Sequence, residues 1–396
     1  MSGAATTTRW ARRSVAVGIG SLVAWQATAL VAGPGDPALL LALLGFVSHV
    51  VFGKAYALVP SYFARSLSPP WAPAVQLSLT VPGVALLFVD ALGVVPPAAG
   101  AVGAALWAAG VVAFLAALAW TVRDNPTGAE TGTGESEASR RRLDRYANAF
   151  VPVALAYVGV GSYQVLAVET GLPRVAGPGL ASVAHLLGAG GAVLLVFAVG
   201  ARLLPRLLVA SPPAPLALAA PPLGAVGPLL VATSLGGGPG LVAGAAAEAA
   251  AVLAFGIAVL VLFVRSDRRR VGFYGVVAGA VAGGVAVALG VTFALDGRPP
   301  AMIVAHRRLN LLGFLGLTIV GLVDQFYPPT VAEASWADDR TAGAALVALG
   351  GGLAVEVVGL AAGVDLAVLA GRGLALAGAA AQLSLLLATF RARPVR

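Results

Sequence analysis

The chain has 396 residues, 59% apolar and only 11% charged, with 25 basic and 17 acidic side chains and a mean hydropathy of +0.92. Soluble proteins carry roughly 25% charged residues, so this composition excludes a water-facing globular fold, and its hydrophobicity excludes disorder. What remains is an all-α polytopic membrane protein, because one crossing of a lipid bilayer takes about 20 apolar residues and the length allows about a dozen.

The first predicted helix, Ser14–Gly33, follows Arg9, Arg12 and Arg13. It reads as a retained span, since GPGDP rather than a small-residue cleavage site comes after it. The second, Pro37–Phe63, carries His49 and Lys54, and Trp71–Val95 and Pro97–Val122 complete a first block of four. Residues 123–146 are polar and rich in Gly, Thr and Arg, the composition of a flexible cytoplasmic tether. The next four spans are Asn148–Glu169 with Gln164, Pro178–Leu204 with His185, Ala214–Leu235, and Leu241–Val264 with Glu248. The last four are Val271–Leu295, Pro300–Tyr327 with His306, Arg307 and Arg308, Thr341–Gly363 with Glu356, and Leu366–Phe390. The chain thus divides into residues 1–122, the linker 123–146, residues 147–266 and residues 267–396.

Charge supports this count. With both ends inside, inner loops and tails hold 19 basic residues, and outer loops hold three, Arg174, Arg298 and Arg372. Basic residues collect on the cytoplasmic side of membrane proteins, so both termini are expected in the cytoplasm of a cell-membrane protein. The net charge of +8 therefore reports topology and not nucleic-acid binding. No Walker, GxSxG or HExxH motif occurs, and with no cysteine in the chain thiolate sites are excluded.

An internal repeat is also legible. Leu43-Leu44-Gly45-Phe46 in the second helix matches Leu311-Leu312-Gly313-Phe314 in the tenth, Gly53 matches Gly321, and Pro60 matches Pro328. The sixth helix holds a weaker copy, AHLLGAGGAVLLVFAVGARLLP, with His185 fifteen residues before Gly200 as His306 is before Gly321. These helices are each second in a block of four, so the chain reads as three parallel four-helix units with pseudo-threefold symmetry.

The three histidines, His49, His185 and His306, fall one per unit. A lone intramembrane histidine is commonly a packed hydrogen-bonding residue. Ionisable groups in a bilayer are costly and also mark functional sites, and imidazole suits haem iron or copper. His185 and His306 both lie about six residues into their helices and share a depth, whereas His49 aligns roughly 16 Å deeper. Arg307 and Arg308 either snorkel to headgroups or bind an anionic group. Lys54, Gln164, Glu248 and Glu356 are the other intramembrane polar residues.

This layout resembles subunit I of haem-copper oxidases and nitric-oxide reductases, and the NnrS family of membrane proteins linked to nitric-oxide metabolism. The whole chain is also similar to membrane proteins of salt-loving archaea. The tenth-helix segment AHRRLNLLGFLGLTIVGLVDQFYP resembles a helix that in the oxidases carries an H-x-H pair, an apolar run with glycine and a terminal proline. The resemblance implies His306 as the ligand of a haem b, His185 beside it, and Arg307 or Arg308 on a propionate. It also implies respiratory or denitrification membrane proteins as partners. The second histidine of the pair is Arg308 here, and the seventh helix has none, so an oxidase-type copper centre and a complete oxidase or reductase cycle are not implied. The expected function is a degenerate member that binds one haem and a diatomic gas. The alternatives are a metal-free transporter or channel, with Lys54, Glu248 and Glu356 lining a polar path, or a structural subunit of a respiratory complex.

Overall fold

The computed structural model describes residues 3–96 and 98–395, so the predicted start of the fourth helix at Pro97 and the basic residue Arg396 lie outside the described residues. It is an all-α bundle, with no strand among the described residues and twelve helices long and apolar enough to cross a membrane. Lipid offers no partner for backbone N–H and C=O groups, so a crossing segment must satisfy them internally.

The spans are α1 (Gly3–Val31), α2 (Asp36–Tyr62), α3 (Ala72–Ala91), α4 (Ala98–Val122), α5 (Val151–Thr170) and α6 (Gly179–Leu208). They continue as α7 (Ala214–Thr233), α8 (Pro239–Arg265), α9 (Val271–Leu295), α10 (residues 300–326), α11 (Asp339–Ala362) and α12 (Asp365–Ala392). Both described ends of the chain lie on one side of the bundle, called here the terminal side.

Three helices form the centre. In their most apolar windows, α2, α6 and α10 bury 72–89% of residues, against 33–50% in the other nine. The outer helices turn Val112, Leu253, Val281 and Val347 outward, the surface that lipid solvates. The same contacts recur every four helices. The first helix of each block packs on the second (α1 on α2, α5 on α6, α9 on α10), and the third and fourth pair (α3 with α4, α7 with α8, α11 with α12). The ring then closes through α4 on α5, α8 on α9 and α12 on α1. Two glycines show what the close approaches require. A Cβ on Gly53 would meet the Ala11 carbonyl oxygen of α1 at 2.7 Å, and one on Gly321 would collide with the Gly272 carbonyl of α9.

Each central helix also carries a π-helical stretch, Leu41–Ser48 in α2, Ala184–Val193 in α6 and Leu309–Leu317 in α10. Such turns widen a helix by one residue and occur often at functional sites. These stretches touch one another at the middle of the bundle.

Three sequence expectations are corrected. First, α1 begins at Gly3 rather than Ser14, because Arg12 extends the helix over the Phe390 ring, 5.3 Å from its centroid, and donates to the Arg393 carbonyl at the chain's other end. Second, Arg372 is not in an outer loop. It sits inside α12, buried against the Glu356 carboxylate at 2.8 Å, where an ion pair replaces water. Third, the linker is not a loose tether. Asp144, 1% exposed, receives Arg206 Nη2 at 2.7 Å and lies 3.4 Å from Arg202 Nε. Arg202 also donates to the Tyr62 and Thr131 carbonyls, at 3.0 and 2.8 Å, and to Asn148 Oδ1 at 2.6 Å. The segment therefore folds across the terminal ends of α2 and α6, fixed by buried charge that composition alone does not reveal.

Candidate functional site

The π-helical turn of α6 and the first turns of α10 place His185 and His306 on one cavity of about 240 Å³, in the half of the bundle away from the chain ends. Glu248 of α8 and Asn310 of α10 complete its polar lining, and Arg298 and Arg307 border it. Arg298 belongs to the exposed loop between α9 and α10, so the cavity reaches that surface. The remaining wall is apolar, with Leu39, Val287 and Phe293 among its residues.

The His185 Nδ1–H donates to Glu248 Oε1 at 3.3 Å, and the two side chains are 21% and 17% exposed. His306 Nδ1–H donates to the Ala286 carbonyl at 2.9 Å, which leaves Nε2 as an acceptor for the Asn310 amide at 3.3 Å. That tautomer follows from the partners. The Phe293 ring packs edge-on against His306, with centroids 5.5 Å apart.

Glu248 differs from the buried carboxylates in its partner. Glu356 accepts from two guanidinium groups, Arg308 at 2.7 Å and Arg372 at 2.8 Å. Asp144 is paired with Arg202 and Arg206, and Asp324 accepts from the Gln382 amide at 2.7 Å. Glu248 instead faces the His185 imidazole, and among the described residues no guanidinium or amide side chain bonds to it.

A second cavity of about 100 Å³ lies between α2, α6 and α10 in the terminal half, lined by Val50, Lys54, Leu195, Val199, Thr318 and Leu322 among others. Ala192 and Thr318 line it where Val193 and Leu315 line the first, so the two cavities approach each other along α6 and α10. Lys54 closes its terminal end. Its ammonium sits 3.4 Å from the Phe326 ring centroid and 3.5 Å from Tyr327 Oη.

The other predicted residues lie elsewhere. His49 is buried against Trp107 and Phe52, its Nδ1 donates to the Leu44 and Gly45 carbonyls, and its Nε2 meets Thr80 Oγ1 at 2.9 Å. Gln164 ties down the α5–α6 loop through the Gly177 carbonyl and the Val175 N–H. Arg308 neither snorkels nor faces the cavity. It is 2% exposed and bound to Glu356 and Gln26. Glu356 likewise lines neither cavity, so a single polar path through Lys54, Glu248 and Glu356 does not form.

The haem implied by the resemblance can be tested against these groups. The coordinating atom, His306 Nε2, already accepts from Asn310, and the Arg308 guanidinium is held by Glu356. Ligand pockets usually span about 300–1,000 Å³, and the cavity, at about 240 Å³, is too small for a macrocycle unless the surrounding helices part. As built, the residues do not fit the group.

No protein-family model and no curated protein matches this chain.

Two contributors escaped sequence reading. Asn310 lies four residues after His306, the spacing that puts two side chains on one helical face, and that signal was available. Gln26, the partner of Arg308, carries no local signal.

Proposed function

We propose that this chain is a metal-free, multi-pass membrane transporter that moves protons, with the cavity of His185, Glu248, His306 and Asn310 as its loading site. The carrying observation is the His185–Glu248 pair at 3.3 Å, partly exposed on a cavity that reaches the surface. Carboxylate and histidine chains inside membranes serve as proton relays. A proton entering past Arg298 binds Glu248 or His185, passes the apolar turn at Leu315 with water that enters the second cavity, and leaves beside Lys54. The arginine asymmetry supports a reading with the loading site on the outer side and Lys54 on the cytoplasmic side of a cell membrane. On this reading the three blocks are parallel four-helix units that share one scaffold, and each unit contributes one central helix.

The test is a proton leak. Purified protein is reconstituted into vesicles with a trapped pH dye and a potassium ionophore to balance charge, and a pH step is applied. Wild type is expected to collapse the gradient faster than protein-free vesicles, and Glu248→Gln to slow it at least ten-fold. A wild-type rate equal to that of empty vesicles, or an unchanged rate in Glu248→Gln, refutes the proposal.

A haem reading draws on one observation, that His185 and His306 share a cavity. It requires His306 Nε2 to leave Asn310 and the cavity to widen. A Soret band on adding hemin to the same protein, lost in His306→Ala, would favour it over the metal-free reading.

A further inference from the structure

The cavity of His185, Glu248 and His306 also holds a cation that no other side chain answers. Arg307 is half-buried in the first turns of α10 and lines the cavity next to His306. It makes no side-chain hydrogen bond, ion pair or ring contact among the described residues, and none of its guanidinium nitrogens is sealed from water. The other arginines inside the bundle differ. Arg202 and Arg206 face Asp144, and Arg308 and Arg372 face Glu356. A charge at membrane depth is costly without a partner, and a guanidinium open on a cavity offers the fork of donors that matches a carboxylate.

The lining as a whole has the same sign. Arg298 and Arg307 bring two guanidinium groups, and Glu248 is the one carboxylate among the described lining residues. A proton that arrives alone adds to this positive charge, whereas a proton that arrives with an anion leaves it unchanged. Size and wall narrow the class of anion. A cavity of about 150 Å³ takes a benzene ring, so one of about 240 Å³ holds roughly ten non-hydrogen atoms. Most of its wall is apolar, Leu39, Val287 and Phe293 included, which suits a hydrocarbon chain. By the same measure the second cavity, about 100 Å³, holds roughly four or five. It too ends at a cation without a carboxylate, since Lys54 meets the Phe326 ring and the Tyr327 hydroxyl.

We propose that the cavity binds one short-chain monocarboxylate of about two or three carbons, its carboxylate on the Arg307 guanidinium and its chain against the apolar wall, and that this anion travels with the proton. No bond within the anion forms or breaks. The proton sits on the His185–Glu248 pair while the anion sits on Arg307. Cotransport rests on the proton-transfer reading, and the binding site does not.

The experiment is calorimetric titration of the purified full chain in detergent with propionate, with its neutral isostere propionamide and with nitrate. Wild type is expected to bind propionate at one site, and propionamide and nitrate at least ten-fold more weakly. Arg307→Gln is expected to weaken propionate binding at least ten-fold while unfolding at the wild-type temperature, because Arg307 holds no partner whose loss would loosen the fold. No binding of propionate to wild type, equal affinity for propionamide, equal affinity for nitrate, or unchanged propionate binding in Arg307→Gln overturns the site. Propionate bound as expected, together with a proton leak that Glu248→Gln does not slow, overturns cotransport and the proton reading but leaves the site, so the two failures are told apart.

Discussion

Glu356→Gln, with both arginines left in place, will remove about 3–5 kcal/mol of stability, the usual cost of breaking a buried ion pair from one side. The carboxylate is fully buried and is the acceptor for Arg308 Nε at 2.7 Å and Arg372 Nε at 2.8 Å. A neutral amide leaves two cations facing each other in a region that lipid surrounds. Removing all three charges together, as Arg308→Met, Glu356→Leu and Arg372→Leu, will cost much less than the single change, since apolar replacements of similar volume avoid the desolvation penalty. Unfolding in mixed micelles of rising SDS content measures both. A Glu356→Gln variant within 1 kcal/mol of wild type would contradict the assignment of this cluster as a charge lock.

The second large effect is at the linker. Asp144→Asn will cost about 3 kcal/mol, the low end of the same range, because Arg206 is 26% exposed and keeps Glu137 at 2.6 Å, while Arg202 keeps its carbonyl partners. The loss will be local first. Segments with few apolar contacts open before the core does, and residues 129–146 are held chiefly by Asp144, by Asn125 on the Glu130 carbonyl and by Arg145 on the Ala129 carbonyl. Brief trypsin treatment is therefore expected to cut the variant near Arg140–Arg142 many times faster than wild type, with the twelve spans still intact. Equal cleavage rates in the two proteins would show that Asp144 does not hold the segment down.

The spans were legible because the bilayer imposes one requirement on each of them, a long apolar run, and that requirement is written in composition. The range Val271–Leu295 can be read directly from the chain and is the helix observed. Polar residues were harder to place because a charge is ambiguous. Arg372 counts with the outer loops by its charge alone, although it falls within the last predicted span, where a carboxylate sixteen positions earlier partners it. The joint depth of His185 and His306 followed from helical rise alone, and both residues line one cavity. Their hydrogen-bond partners did not follow. Glu248 comes from a different helix, and the Ala286 carbonyl that orients His306 leaves no trace in sequence. The π-helical turns were invisible for a similar reason. Their glycine-rich stretches look like any other in a chain with 51 glycines, and only the packing of three central helices distinguishes them. The linker was misread because Gly and Thr suggest disorder, while its fixed point is one buried aspartate.

The central claim is that the cavity of His185, Glu248 and His306 is open on the side opposite the chain ends and carries the transported proton. Because the chain has no cysteine, a single introduced thiol reports cleanly. Ala189 lines this cavity within the π-helical turn of α6. The decisive measurement is modification of Ala189→Cys by a membrane-impermeant maleimide from that side, followed by the dye-based proton assay on the same vesicles. The account predicts that the thiol is labelled and that the adduct suppresses the proton leak at least ten-fold. A thiol that stays unlabelled, or a leak unchanged by a quantitative adduct, would contradict it.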